Sequence, residues 1–288
     1  MAREILVTGS DGFVGRRLIP ALEKMGHAVR AFSRKQGDIA SAELGYSGVD
    51  HVIHLAARTF VPESWRSPKP FFETNVLGTL NVLEFCKRQD ASLTLVSSYV
   101  YGRPERLPIA ETHPVEAFNP YNQSKIMAEQ LARFYEAHAG LTLTIVRPFN
   151  LYGSGQDGRF LIPTLVHQFL DNSCDRVEVA DLRPKRDYLH VDDLVRMLAT
   201  LADRPQGGIY NAGSGTSISV ADLAEAIRET SGSEKSFVSR GEERENEVMD
   251  VRADITKAEQ ELGWRPAITL RQGLAETIDG YRNSRLEK

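Results

Sequence analysis

The stretch Ile5-Leu6-Val7-Thr8-Gly9-Ser10-Asp11-Gly12-Phe13-Val14-Gly15 stands near the start of the chain and decides its fold. Ile5-Leu6-Val7 is a short, continuous apolar run, which is typical of a parallel strand covered on both faces. The apolar residues Leu18, Leu22 and Met25 follow at helical spacing. A strand, a glycine-rich turn and a helix in this order predict the first unit of a doubly wound, Rossmann-type parallel sheet.

Three glycines of this stretch, Gly9, Gly12 and Gly15, have the spacing of a phosphate-binding turn. Gly9 allows the tight turn, Gly12 lets backbone N–H groups approach a pyrophosphate, and Gly15 lets the helix pack closely on the strand. The N-terminus of that helix would point its positive end at the phosphates. The pattern therefore predicts a dinucleotide site. The loop residues expected to contact the cofactor are Gly9, Asp11, Gly12, Phe13 and Val14.

The second predicted strand, residues 28–32, is followed by Ser33-Arg34-Lys35 and lacks an acidic residue at its end. An acid at this position usually takes the ribose hydroxyls of NAD(H), whereas cations and a hydroxyl suit the 2′-phosphate of NADP(H). We therefore favour NADP(H), with Ser33 and Arg34 as contacts, while NAD(H) stays possible. Residues 37–39 have the pattern of a third strand's stub, which would place Asp38 near the adenine.

Strands and helices alternate through the first half of the chain, which predicts a right-handed parallel α/β sheet. The predicted strands are at residues 49–55, 93–96 and 141–146, and the predicted helices are at 70–87 and 121–138. The small residues Ala56 and Ala57 follow the first of these strands and would let a cofactor lie against its end. Asn75 lies inside the predicted helix 70–87, where its amide needs a hydrogen-bond partner.

The pattern changes after Asn150, where a glycine-rich loop begins. Further elements are predicted as helices at 161–170 and 192–201, strands near Val177 and at 209–211, a helix capped by Ser219, and a final helix to Tyr281. We expect residues 1–148 with about 187–213 to form the Rossmann domain. About 149–186 with 214–288 would then form a smaller α/β lobe that binds substrate over the cofactor.

A helix is predicted to begin at Pro120, in the stretch Asn119-Pro120-Tyr121-Asn122-Gln123-Ser124-Lys125. Residues four apart share a helix face, so the Tyr121 hydroxyl and the Lys125 ammonium would point the same way. A nearby cation favours a phenolate, and we therefore expect the pKa of Tyr121 to be lowered. Moving it from about 10 to about 7 would take roughly 4 kcal/mol, so a second positive charge should contribute.

Composition excludes several classes of function. The chain has 288 residues with a formal net charge of -4, which argues against a nucleic-acid partner. No apolar run reaches the length of a membrane span, and we expect no signal peptide before the first strand and a cytoplasmic location. His51 and His54 would lie on opposite faces of a strand, so no metal site is expected there.

Eight motifs in order resemble those of the extended short-chain dehydrogenase/reductases, in their nucleotide-sugar epimerase/dehydratase branch. They are Thr8-Gly9-x-x-Gly12-x-x-Gly15, His54-Leu55-Ala56-Ala57, Asn75-Val76-x-Gly78-Thr79, Ser97-Ser98-x-Val100-Tyr101-Gly102, Tyr121-x-x-x-Lys125, Arg147-Pro148-Phe149-Asn150, Arg186-Asp187-Tyr188-x-His190-Val191 and Leu262-Gly263-Trp264. The resemblance extends over nearly the whole chain. It implies a nucleoside-diphosphate sugar as substrate.

The resemblance also implies roles for individual residues. Tyr121 would be the acid/base, Lys125 would hold the nicotinamide ribose, and Ser97 would hydrogen-bond the substrate oxygen. Further cofactor contacts are expected at Leu55, Ala56, Ala57, Asn75 and Pro148, and further substrate contacts at Ser98, Asn150, Arg186 and Arg244. A homodimer through the helices at 70–87 and 121–138 would be typical of the family.

Two departures from the family's patterns narrow the chemistry. Dehydratase members carry an Asp-Glu pair where this chain has Ser98 and Tyr99, and Tyr99 does not supply the acid of the decarboxylases either. Of the reactions that the family carries out, hydride transfer at the sugar C4 therefore remains. Residues 61–65 and Ser33-Arg34 resemble the 4-keto-6-deoxy-mannose reductases, which favours a 4-ketoreductase. Residues 188–191 and 151–153 resemble the 4-epimerases, the alternative; a non-catalytic dinucleotide sensor is a third, lesser one.

Overall fold

The computed structural model describes residues 2–242 and 247–286. Its strands are β1 (Glu4–Thr8), β2 (Ala28–Phe32), β3 (His51–His54), β4 (Ser92–Val96), β5 (Leu143–Pro148), β6 (Asn150–Tyr152), β7 (Arg176–Val179), β8 (Lys185–Arg186), β9 (Tyr188–His190), β10 (Gly208–Ala212), β11 (Ile218–Ser219) and β12 (Ser236–Ser239). Its α-helices are α1 (Gly15–Lys24), α2 (Val61–Arg66), α3 (Lys69–Phe72), α4 (Gly78–Gln89), α5 (Pro120–Ala139), α6 (Leu161–Leu170), α7 (Val191–Asp203), α8 (Val220–Ser231), α9 (Thr256–Leu262) and α10 (Leu270–Leu286).

Six strands form one parallel sheet in the order β10-β5-β4-β3-β1-β2, which confirms the predicted doubly wound α/β class. From β1 the chain goes first to β2 on one side and then to β3 on the other. The carboxyl ends of β1 and β3 therefore flank the point where the strand order reverses, which is where such sheets bind ligands.

Successive side chains of a strand point to opposite faces of the sheet, so apolar strands have two faces to bury. Helices cover both of them. Ile5 and Val7 of β1 pack with α1 and α7 in one apolar core. Leu6 lies between them in sequence and belongs to a second core with α4 and α5 on the other face. A third core lies among α6, α8 and α10, beside the parallel pair of β7 and β12. None of the described helices is both long and apolar enough to span a membrane.

The helix predicted at residues 70–87 is present but is not a uniform α-helix. It consists of α3, a π-helical turn at Glu73–Leu77 and α4. Asn75 lies in the π-helical turn, a kind of irregularity that is frequent at functional sites. The predicted helix at 161–170 is confirmed as α6, and Ser219 caps α8 by accepting a 3.0 Å hydrogen bond from the Asp222 N–H.

The strand stub predicted at residues 37–39 is wrong. This segment forms turns, in which the Asp38 carboxylate accepts a hydrogen bond from the Ala40 N–H at 3.0 Å. The Asp38 carbonyl accepts another from the Ala42 N–H at 2.7 Å. An Asp side chain that bonds its own backbone two residues on favours a turn over a strand.

Candidate active site

The glycine-rich loop after β1 is as tightly packed as its spacing predicts. Gly9 has φ +70°, and a Cβ added there would lie 2.7 Å from the backbone nitrogen of Ala56. A Cβ on Gly15 would lie 2.7 Å from the carbonyl oxygen of Ser10. The first turn of α1 carries no acidic residue, so its N-terminus suits an anionic group. The loop therefore fits a pyrophosphate.

A cleft of about 550 Å³ lies against this loop. Nine of the predicted cofactor residues line it together: Gly9, Asp11, Gly12, Ser33, Arg34, Asp38, Leu55, Ala56 and Ala57. Arg58 and Thr74 also line it and were not predicted. Arg58 could have been found as the first cation after the small residues that follow β3. The described residues thus form a cleft suited to a dinucleotide.

The end of β2 presents both a cation and an acid to this cleft. Arg34 and Asp38 are exposed at its rim. The Ser33 hydroxyl donates to Gln36 Oε1 at 2.9 Å, so its hydrogen is used inside the turn. A phosphate is an acceptor only, and Arg34 is therefore the better placed of the two predicted contacts.

Six predicted cofactor residues do not line the cleft: Phe13, Val14, Asn75, Pro148 and the catalytic candidates Tyr121 and Lys125. Asn75 is buried and donates its two amide hydrogens to the Arg58 carbonyl and to Ser124 Oγ, at 3.1 and 2.9 Å, while its oxygen accepts from the Arg58 N–H. It therefore fixes the segment after β3 to α5, and direct contact with the cofactor stays a prediction. Phe13 lies 6.0 Å below the Arg17 guanidinium, Val14 packs on the core beside α1, and Pro148 is buried in β5.

The helix that carries Tyr121 and Lys125 begins at Pro120, as predicted. Asn119 caps it by accepting a 2.8 Å hydrogen bond from the Asn122 N–H. Tyr121 and Lys125 lie on the buried face of this helix, and the Lys125 ammonium donates a 2.7 Å hydrogen bond to the Val96 carbonyl at the end of β4. Helix α5 and strand β4 thus converge on one small region.

The expected lowering of the Tyr121 pKa is wrong for the protein by itself. Burial raises the pKa of Tyr121 to about 12, although a hydrogen bond with Ser98 acts in the opposite direction. Burial also lowers the pKa of Lys125 to about 8, while the Glu129 carboxylate raises it. Removing both groups from water favours their neutral forms, and burial is the largest influence on the pKa of each.

The two neighbouring serines after β4, Ser97 and Ser98, have different surroundings. Ser98 is the serine that hydrogen-bonds Tyr121. Ser97 Oγ is buried and has no hydrogen-bond partner among the described residues. A buried hydroxyl without a partner is costly, so a substrate oxygen at this position would satisfy it.

A second and larger cleft, of about 860 Å³, contains the predicted substrate residues Asn150 and Arg186. It is lined by Phe60, Val61, Pro62, Trp65, Tyr99, Tyr101, Gly102, Glu116, Phe118, Asn119, Asn122, Asn150, Leu151, Gln156, Arg159, Phe160, Leu161, Ile162, Arg186, Tyr188, Glu247, Val248 and Val251. Asn119 and Asn122 flank Tyr121 in the chain, and Tyr99 follows Ser98. The catalytic candidates are therefore next to residues of this cleft.

Arg186 is paired within the protein. Its guanidinium forms an ion pair with Glu247 and donates a 2.7 Å hydrogen bond to the Val248 carbonyl. The acids Asp187 and Asp192, which lie close to Arg186 in the sequence, are not part of this ion pair. Asp187 is instead buried and accepts hydrogen bonds from the backbone N–H groups of Ser214, Gly215 and Ala253. Arg244 lies outside the described residues.

Aromatic and charged side chains bridge one end of this cleft, which the sequence did not predict. Phe60 and Phe160 meet edge to face with their centroids 5.7 Å apart. The Arg159 guanidinium lies 4.3 Å from the Phe60 ring centroid and 3.3 Å from Glu63 Oε2. These contacts join the segment that follows β3 to the loop before α6, and so link the walls of the cleft.

The histidines of β3 have internal partners rather than ligand positions. His51 contacts Ser92 Oγ at 2.7 Å and Thr94 Oγ1 at 3.0 Å, and His54 contacts Thr8 Oγ1 at 2.7 Å. Burial, together with the charge of Lys125, lowers the pKa of His54 to about 3. His54 is therefore neutral near Lys125 at physiological pH.

One cluster elsewhere has ligand types that could suit a metal: His190, Asp192 and Glu276. The guanidinium of Arg17 lies 3.6 Å from Asp192 Oδ1 and 3.2 Å from Glu276 Oε1. A positive charge is thus already present between the two carboxylates.

Comparisons with known proteins agree with this geometry. A model of the NAD dependent epimerase/dehydratase family matches residues 5–213. The putative UDP-glucose 4-epimerase of Methanocaldococcus jannaschii is 30% identical over 97% of this chain and 99% of that protein. The dTDP-glucose 4,6-dehydratase of Streptomyces griseus is 32% identical over 99% of this chain and 96% of that protein.

The GDP-6-deoxy-D-mannose reductase of Pseudomonas aeruginosa is 31% identical over 98% of both chains. Among solved structures, RMD from Pseudomonas aeruginosa complexed with NADPH superposes with a TM-score of 0.90 at 30% identity. That superposition covers 98% of this chain and 100% of the other.

Proposed function

The chain belongs to the NAD-dependent epimerase/dehydratase family, and on that premise we propose that it reduces the C4 carbonyl of a nucleoside-diphosphate sugar with NADP(H). The observation that carries the proposal is the buried group of Ser98, Tyr121 and Lys125. It lies next in the chain to Tyr99 and Asn122, which line the larger, substrate cleft. Asn75 connects it to the smaller, cofactor cleft, because its amide bonds both Ser124, the neighbour of Lys125, and the backbone of Arg58. An acid/base group in this position suits oxidation or reduction of a sugar carbon.

The residues around Tyr121 favour hydride transfer over elimination. The family's dehydratases need an acid and a base at the positions of Ser98 and Tyr99. Here Ser98 hydrogen-bonds Tyr121, and the Tyr99 ring stacks on Phe149 with centroids 5.4 Å apart. Neither side chain is a carboxylate that could remove a proton from carbon. The Streptomyces griseus relative is a dehydratase, but this chain lacks that pair.

The protein's own groups would act as follows. Bound NADPH supplies the hydride. The protonated Tyr121 phenol donates its proton to the C4 oxygen as that carbon is reduced, and the Ser97 hydroxyl holds the same oxygen. The Lys125 ammonium stabilises the phenolate that Tyr121 leaves behind. The raised pKa of Tyr121 fits this direction, because the free phenol keeps its proton at neutral pH.

The remaining contacts follow from the two clefts. The glycine-rich loop and α1 would hold the pyrophosphate, and Arg34 would hold the 2′-phosphate of NADP(H). Asn150 and Arg186, with Arg244, would hold the sugar diphosphate in a lobe made of about 149–186 and 214–288. The exposed carboxylate of Asp38 would suit NAD(H) instead, so cofactor choice depends on which of Arg34 and Asp38 dominates.

The second candidate is a nucleotide-sugar 4-epimerase, which is favoured by the Methanocaldococcus relative. An epimerase recycles a retained cofactor, whereas a ketoreductase consumes added NADPH. Purified protein would be denatured and the released nucleotide identified, and NADPH oxidation would be followed with a 4-keto sugar nucleotide. Stoichiometric oxidation supports the reductase, while tightly retained NAD without consumption supports the epimerase. A homodimer and a cytoplasmic location stay predictions.

A further inference from the structure

A buried ion pair lies directly behind the catalytic lysine. Arg147 Nε donates to Glu129 Oε1 at 3.0 Å, and a second guanidinium nitrogen donates to Glu129 Oε2 at 2.5 Å. The exposed fractions are 3% for Glu129 and 1% for Arg147. Glu129 follows Lys125 by four residues on α5, so both share one face of the helix with Tyr121. These three side chains form a buried row along the helix.

The pair is fixed from several sides. The Arg147 guanidinium carbon lies 4.8 Å from the Tyr101 ring centroid, and the Tyr101 hydroxyl donates to Asn211 Oδ1 at 2.5 Å. Burial would lower the pKa of Arg147, but Glu129 raises it above its ordinary value, so Arg147 stays charged. Glu129 is therefore held by a rigid two-pronged contact rather than by a mobile side chain.

Stability does not explain this arrangement. Taking two charges out of water costs free energy that their mutual attraction often fails to recover, and apolar residues of similar size frequently serve as well. An uncharged pair would therefore fill the space between α5 and β5. What an uncharged pair would not supply is a carboxylate one helical turn from Lys125.

Lys125 is a buried ammonium group, and a negative charge nearby would stabilise it. Burial lowers its pKa to about 8, and the Glu129 carboxylate acts in the opposite direction. The charged and titratable groups that face Lys125 or its partner are Glu129 and Tyr121 on α5, His54 on β3, Arg147 on β5 and Tyr101 after β4. Of these, Glu129 alone carries a carboxyl group, and His54 is neutral at physiological pH.

We propose that Glu129, held by Arg147, is a positioning residue of the active site that keeps the Lys125 ammonium charged beside Tyr121. The clamp by Arg147 has a second effect, because it prevents Glu129 from swinging onto Lys125. The ammonium then keeps its hydrogen bond to the Val96 carbonyl. The consequence for turnover rests on the proposed function, whereas the effect on Lys125 does not.

The effect is measured directly on Lys125. Protein labelled with 13C at the lysine Cε, freed of bound nucleotide, is titrated by NMR, and the Lys125 signal is assigned by its loss in Lys125→Met. Glu129→Gln keeps the shape of the side chain and removes its charge. We expect the Lys125 midpoint to fall by about one pH unit, the lower end of the effect of a close charge. Glu136→Gln, at an exposed position about two turns further along the same helix, is the matched control and should not move it.

A second variant controls for the destabilisation that an unpaired, buried Arg147 would cause. Glu129→Gln/Arg147→Met removes both charges, a replacement that folded proteins commonly accept. The Lys125 midpoint should still fall in this variant, though by less than in the single one. An unchanged midpoint in the folded double variant, or in the folded single variant, overturns the inference.

Turnover then separates this inference from the proposed function. The alkaline limb of the pH profile of kcat should move to lower pH together with the Lys125 midpoint. A midpoint that moves in a protein without any ketoreductase or epimerase turnover leaves the effect on Lys125 in place and refutes the proposed function. A midpoint that moves while the alkaline limb of an active enzyme stays fixed refutes the positioning role.

Discussion

The Lys125 ammonium donates a 2.7 Å hydrogen bond to the carbonyl oxygen of Val96, the last residue of β4. Ser97 and Ser98 follow Val96 directly, and Tyr121 lies one helical turn before Lys125. A single hydrogen bond therefore joins the helix that carries Tyr121 and Lys125 to the end of the strand that precedes the two serines. The four candidate residues are held in a fixed relation before any ligand binds.

The first prediction concerns the stability cost of Lys125. Its pKa of about 8 lies below the ordinary value of 10.5, so burial of the ammonium opposes folding below pH 8. The difference corresponds to about 3 kcal/mol at 1.36 kcal/mol per unit. Lys125→Met should therefore raise the free energy of unfolding at pH 7, by about 1–3 kcal/mol once imperfect packing is included. Urea denaturation of nucleotide-free protein measures it.

The direction in which stability changes with pH follows from the number of protons that the folded and unfolded states bind. Between about pH 8 and 10.5 the unfolded chain binds more protons at this lysine than the folded chain, so wild-type stability rises through that window. The advantage of Lys125→Met should therefore shrink at pH 9.5. Lys69→Met, at a side chain that is 85% exposed, is the control and should change stability by less than about 0.5 kcal/mol. Destabilisation by Lys125→Met at pH 7 would contradict this.

The second prediction concerns cofactor choice. Arg34 lines the cofactor cleft, whereas the neighbouring Lys35 does not. Arg34→Ala should weaken NADPH binding about tenfold or more, because a charge-assisted hydrogen bond contributes roughly 1.5–3 kcal/mol. NADH binding should change little, and Lys35→Ala should leave both constants close to wild type. Tighter binding of NADH than of NADPH by wild type, unaffected by Arg34→Ala, would assign the cofactor to the Asp38 side instead.

The third prediction concerns Arg186 in the substrate cleft. Because its guanidinium already pairs with Glu247, a diphosphate would replace an existing contact rather than add a new one. We therefore expect Arg186→Ala to weaken binding of UDP- and GDP-sugars about tenfold, the lower end of what a charge-assisted bond supplies. Titration calorimetry measures this, with Arg176→Ala as an exposed control. Equal affinity in wild type and Arg186→Ala would show that the diphosphate binds elsewhere.

The fourth prediction concerns Tyr121. Tyr121→Phe removes the phenol proton and leaves the edge-to-face contact with Phe71, whose centroid is 6.4 Å away. NADPH affinity should be unchanged, while kcat should fall by about 10²–10⁴, the usual contribution of a general acid. A steady-state assay with a 4-keto sugar nucleotide checks it. Retention of more than about a tenth of wild-type turnover would assign the proton transfer to another group.

The sequence predicted the features that depend on neighbours in the chain. The glycine spacing predicted the tight turn at Gly9, and the helix start at Pro120 predicted the shared face of Tyr121 and Lys125. Both outcomes follow from local backbone geometry, which a short stretch of residues determines.

The sequence did not predict what depends on distant contacts. The pKa of Tyr121 was expected to fall and instead rises, because burial of the phenol is the largest influence on it and comes from the whole fold. The contact of Phe60 with Phe160 and the pairing of Arg186 with Glu247 join distant segments, which no local periodicity encodes. The turn at Asp38 was missed because its side-chain hydrogen bond overrode the strand pattern.

Deuterium transfer tests the central claim most directly. GDP- and UDP-linked 4-keto-6-deoxyhexoses are incubated with NADPH that carries deuterium at the transferring position, using wild type and Tyr121→Phe. We predict one deuterium at the sugar C4 for each NADPH oxidised by wild type, with little product from Tyr121→Phe. Sugar turnover without any deuterium from the added NADPH, or deuterium at another carbon, would contradict a C4-ketoreductase.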